Sequence, residues 1–186
     1  MNAARPVAIA NRHPRLRLDR RALKRVIHTL DAHFCPAPGE GIPSSDKSKI
    51  GNRKLKVGPG ELSLVFLTDA ALAQLHADFL ADPAPTDVIT FAGDPAHGTA
   101  GEICVSVDAA LRHVRALAPR RSSSTLRLSA SAFSTELALY VVHGWLHLAG
   151  YDDLQPAKKR QMRRAESRAL RLLQSAGAFP RFNFRR

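Results

Sequence analysis

Residues 140–153, YVVHGWLHLAGYDD, decide how the chain is read. His143 and His147 stand four residues apart, so a helix through this stretch puts both imidazoles on one face, one turn apart. Leu146 and Leu148 continue the helix, and Gly150 arrives where a helix ends through a left-handed residue. Beyond the glycine, Tyr151, Asp152 and Asp153 can fold back toward the histidines. Two neutral imidazoles fixed by one helix, with an oxygen ligand past a glycine turn, make an open site for a divalent transition metal, zinc first. Three protein ligands leave a fourth position for water. The plainer alternative, two polar residues on a helix face, gives the glycine break and the carboxylates no role.

Working outward, the histidine helix is expected over residues 131–149. It follows a polar, basic connector at 119–125 (PRRSSST). A last helix over 156–176 carries Met162, Ala165, Ala169, Leu172 and Leu173 at helical spacing. Its other face holds Lys158, Lys159, Arg160, Arg163, Arg164, Arg168 and Arg171, with Glu166 the one acid among them. Like charges at i,i+4 oppose a helix, so this face suits an external polyanion, and Lys158, Lys159, Arg163 and Arg164 are the contacts expected to bind it. The tail, residues 178–186, is expected to be loose.

Upstream, ELSLVFL (Glu61–Leu67), TDVITF (86–91) and EICVS (102–106) read as short buried strands, with a further one at 6–10. Asp19 caps a helix bearing Leu23, Val26, Ile27 and Leu30, and Thr68-Asp69 caps another whose Leu72, Leu75 and Phe79 face inward. Asp108 starts a third, with Leu111, Val114 and Leu117. Residues 36–60 are rich in Pro, Gly, Ser and Lys without an apolar period and read as a loop, its cations Lys47, Lys49, Arg53, Lys54 and Lys56 able to meet a phosphate backbone. Alternation of strands and helices gives an α/β fold: one domain, residues 1–186, with a small mixed sheet of about four strands packed by about five helices.

The 186 residues suffice for one core, and 45% are hydrophobic, which excludes a disordered chain. Lys and Arg number 28 against 16 acids, a net charge of +12, which points to polyanionic partners, nucleic acid before membrane. Cys35 and Cys104 have no paired or metal-motif spacing, as expected of a reduced, cytoplasmic protein. No apolar run reaches membrane-spanning length, so no membrane partner is expected. The sequence leaves the oligomeric state open.

The spacing His-x-x-x-His-x-x-Gly is shared with metzincin peptidases, but those place a glutamate after the first histidine as general base. Gly144 stands there, which argues against a peptidase of that type.

The run from His143 to Asp152 resembles the HGxLHLxGYDH signature of the YbeY family, the rRNA-processing endoribonucleases. Residues 85–91 (PTDVITF) are similar to its PTDVLSF strand and residues 101–103 (GEI) to its GDI strand start, in the same order. The likeness spans about residues 61–176. It implies a metal held by three histidines, of which two fall on His143 and His147 and the third on Asp153. A carboxylate is an acceptable zinc ligand, though it lowers the charge of the centre and the acidity of a bound water. Asp152 would support a ligand from behind. The family arginine before the PTDV strand falls on Leu80.

What the resemblance implies is a metal-dependent endoribonuclease specific for single strands. It would act in 16S rRNA 3′-end maturation and ribosome quality control, with one Zn2+ per chain and with rRNA and the small ribosomal subunit as partners. No general base is assigned. Glu136, seven residues before His143 on the same helical face, and Asp87, opening the matched strand, are the candidates. The rival expectation is a non-catalytic ribosome-assembly factor with a structural metal.

Overall fold

The computed structural model describes residues 4–37, 57–80, 84–117 and 130–185. Most of the expected loop at 36–60, its five cations, the connector at 119–125 and the side chain of Leu80 lie outside the described residues.

Strands β1 (Val7–Asn11), β3 (Glu61–Leu67), β5 (Thr99–Ser106) and β4 (Val88–Ala92) form one mixed sheet in that order. β1 and β5 each pair parallel with β3, and β4 pairs antiparallel with β5. Alternation along β3 divides the core. Leu62, Leu64 and Phe66, all fully buried, face a large cluster with Ile103 and Val105. Val65 and Leu67 face the opposite side, where Ile89, Cys104 and Leu72 close a smaller one.

Helix α1 (Arg20–His33) starts where the Asp19 carboxylate accepts from the backbone N–H groups of Arg21 and Ala22, at 2.8 and 3.1 Å. Its stripe of Leu23, Val26, Ile27 and Leu30 is buried on the large cluster. In α2 (Asp69–Leu80) Thr68 Oγ1 accepts from Ala71 N, and Leu72 covers the back of the sheet. Phe79 does not face inward as expected. It is 65% exposed and meets Phe91 edge-on at the sheet margin. Leu117, at the end of α3 (Val107–Leu117), is also exposed, because its position falls beyond the last turn that reaches the core.

Helix α4 (Ala130–Leu148) runs through the centre, buried on most sides by Phe133, Leu137, Val141, Val142, Trp145 and Leu146. Gly144 lets it lie directly on the sheet. A Cβ there would sit 2.5 Å from Ile103 Cγ2, and 3.2 and 3.3 Å from methyls of Thr90 and Val88. Trp145 Nε1 donates to Asp31 Oδ1 at 3.0 Å, which ties α4 to α1. Helix α5 (Pro156–Ser175) buries Met162, Ala165, Ala169 and Leu173 against α4 and α1.

Residues 178–185 are not loose as expected. β6 (Phe182–Phe184) pairs antiparallel with β2 (Leu16–Leu18), a two-stranded ribbon that the sequence reading did not contain. Phe182 is 1% exposed, and its backbone N–H donates to Ser134 Oγ while its carbonyl accepts from that hydroxyl. Phe184 packs on Phe133 and His13, with the Arg15 guanidinium 4.5 Å above its ring. Two aromatic rings that find apolar walls outweigh the fraying of a terminus. Among the described residues no helix is long and apolar enough to cross a membrane.

Candidate metal centre

Helix α4 ends in a Schellman turn. Gly150 adopts φ 98°, its N–H donates to the His147 carbonyl at 2.9 Å, and Tyr151 N–H donates to the Leu146 carbonyl at 3.0 Å. Tyr151 is buried, so the chain after the turn is anchored and Asp153 returns over the end of the helix.

His143, His147 and Asp153 come together. Their nearest ligand atoms all lie within 4.8 Å of one another. The two Nε2 atoms are 2.8 Å apart, and Asp153 oxygens lie 4.0 Å from His143 Nε2 and 3.8 Å from His147 Nε2. Tetrahedral ligands at zinc bond lengths are about 3.4 Å apart, within the range of these three distances.

The outer faces of the rings decide what the inner faces can do. His143 Nδ1 meets Glu166 Oε1 at 2.6 Å, and His147 Nδ1 meets the Tyr151 carbonyl at 3.1 Å. Both partners accept only, so each Nδ1 carries the hydrogen and each neutral ring turns a bare Nε2 lone pair inward. Two lone pairs and a carboxylate converging at these distances need a proton shared between the Nε2 atoms, 2.8 Å apart, or a metal ion between them. The donor set fits a divalent metal, which His143, His147 and Asp153 would hold.

Burial disfavours the His143 imidazolium, but the Glu166 hydrogen bond and the charges of Glu166, Asp87 and Asp153 outweigh it and raise its pKa above 6.5. Burial and the neighbouring His143 lower that of His147.

Asp152 does not stand behind a ligand as expected. Its Oδ2 holds Lys158 Nζ at 2.6 Å and its Oδ1 accepts from Leu154 N, bracing the turn before α5. The groups that contact the outer nitrogens of the two rings are instead Glu166 and the Tyr151 carbonyl. Sequence reasoning saw Glu166 only as an exception among cations. The missed signal is that it follows Met162 by four residues, which places it on the inward edge of α5.

His143 and Asp153 line a cleft of about 310 Å3, while His147 lines a neighbouring pocket with Thr90 and Leu148. Asp87 and Glu136 both line the cleft, as does His113, which the sequence did not single out. Glu136 is 3.7 Å from His113 Nε2. The adjacent Tyr140 hydroxyl has its pKa raised by burial and by Glu136. Lys159 and Arg163 form the cationic wall. Arg163 and Arg164 also line a second groove with Ser167, Arg168 and Arg171. Of the four expected RNA contacts, Lys158 is engaged by Asp152. Arg168 turns inward onto Phe34 and the Tyr151 hydroxyl.

Fold and site define an α/β domain organised around a candidate mononuclear metal centre in a partly cationic cleft. Comparison with known proteins gives the family. The profile described as "Endoribonuclease YbeY" matches residues 45–174. The "Endoribonuclease YbeY" of Chlamydia pneumoniae is 38% identical over 129 residues, 67% of this chain and 76% of that one. The protein of the same name from Mycobacterium ulcerans is 34% identical over 118 residues, 63% and 66% of the two chains. The chain belongs to the YbeY family.

Proposed function

We propose that this protein is a metal-dependent endoribonuclease acting on single-stranded RNA, with the 3′ end of 16S rRNA on the small ribosomal subunit as its setting and one Zn2+ per chain. The observation that carries the proposal is the convergence of His143 Nε2, His147 Nε2 and Asp153, two of which, His143 and Asp153, line a cleft walled by Lys159 and Arg163. The activity for which the relatives are named and the net charge of +12 support the same substrate. Zinc held there would supply Lewis acidity at a phosphate and a nucleophile active near neutral pH.

The chain's own groups do the remainder. Lys159 and Arg163 hold the phosphate backbone, so binding weakens steeply with salt. Glu166 and the Tyr151 carbonyl keep the protons of His143 and His147 on Nδ1. Asp87 and Glu136 are the carboxylates on the cleft wall able to take a proton.

The test is cleavage of a single-stranded oligonucleotide carrying the 16S rRNA 3′-end sequence, compared with its duplex and with an unrelated single strand. His147→Ala should abolish cleavage and retain binding. Tight binding with no cleavage under any divalent metal would replace the enzyme by a non-catalytic assembly factor, the reading that Asp153 in place of a third histidine favours.

A further inference from the structure

We propose that Glu166 is a positioning residue of the metal centre, fixing the His143 ring and its tautomer so that Nε2 is presented to the ion. The inference rests on the metal reading above and assigns a role within it to a residue of a different helix.

Four observations carry it. The contact is short and sheltered: Glu166 Oε1 lies 2.6 Å from His143 Nδ1, with the two side chains 15% and 20% exposed. Glu166 is set in place by the core, since Met162 one turn before it and Ala165 beside it are 1% and 0% exposed. It is the only acid in the twenty residues of α5, amid seven cations. Among the described residues its ion pair is nevertheless with His143 and not with Arg163, three residues before it on the same helix. An acid on a cationic helix finds local partners readily, so a partner on α4 shows that its rotamer serves the histidine.

The two histidines are therefore unequal. His147 is oriented by a neutral backbone carbonyl at 3.1 Å, whereas His143 is backed by a carboxylate. A carboxylate behind an imidazole both holds the ring and makes the ligating nitrogen more basic. The helix that supplies the cationic wall thus also aims one of the ligands.

The experiment compares Glu166→Ala and Glu166→Gln with the wild type in two readouts that need no RNA cleavage. Zn2+ affinity is measured by competition with a chromophoric chelator, and the visible spectrum is recorded after loading with Co2+. Glu166→Ala is expected to weaken Zn2+ binding by about 10–100-fold and to alter the Co2+ bands. Glu166→Gln, whose amide oxygen can still accept from Nδ1, is expected to keep the band shape and part of the affinity. A merely structural contact between α4 and α5 would lower the melting temperature of the metal-free protein without changing the bands of the folded fraction. Folded variants with wild-type affinity and unchanged bands overturn the inference. A wild type that takes up no Zn2+ overturns the metal reading itself, a separate and distinguishable result.

Discussion

Gly144 and Ile103 touch so closely that a methyl group on the glycine would lie 2.5 Å from Ile103 Cγ2. The residue between the two ligand histidines' turns is thus the point at which α4 rests on the sheet. This contact explains in steric terms why no glutamate can follow His143, and with it the absence of the peptidase arrangement. Ile103 is β-branched and itself fully buried, so it cannot swing aside cheaply. Gly144→Ala is expected to destabilise the fold by about 1–3 kcal/mol through overpacking and to reduce metal retention by displacing His143. Urea unfolding checks the first effect and metal analysis the second; a variant as stable as the wild type would show that α4 sits farther from the sheet.

The chain's end contributes to the core. Phe182→Ala removes a ring that is 1% exposed and packs against Phe66, and is expected to cost about 3–5 kcal/mol. Chemical denaturation measures this directly. A change near zero would return residues 182–184 to the status of a loose tail.

Proton competition sets the third expectation. Metal binding needs both Nε2 atoms unprotonated, and His143, with its pKa raised above 6.5, holds its proton to a higher pH than an ordinary histidine. In the metal-free protein His143 therefore adds stability that is complete below the unfolded value and is lost as pH rises through its folded pKa. His147, with a lowered pKa, acts in the opposite sense and withdraws stability as pH falls. The stabilisation conferred by Zn2+ should accordingly be greater above the His143 pKa than below it. Melting temperatures with and without Zn2+, taken over a pH series that starts below 6.5 and runs well above it, test the sign. A Zn2+-induced shift that does not grow along the series would contradict His143 as a ligand.

The sequence made some parts of this structure legible for physical reasons. In α1 the apolar stripe and the Asp19 cap are local signals, and the period shows them. The histidine pair, Gly150 and Asp153 are likewise confined to eleven residues, so the site could be read before any fold was known. What escaped was non-local. β2 and β6 are three residues each, too short to show a period, and they pair across the length of the chain. Glu166 acts on a residue of another helix, and nothing in α5 itself names that partner. Phe79 and Leu117 keep the helical spacing but fall at helix ends, where the core no longer reaches them.

The most direct test of the centre is metal content per chain, measured on wild-type, His147→Ala and Asp153→Ala protein after loading with Zn2+ and removal of excess. One tightly held ion in the wild type, with marked loss in both variants, is the expected result. A wild type that retains none, or an Asp153→Ala variant that retains as much as the wild type, would contradict the ligand set proposed here.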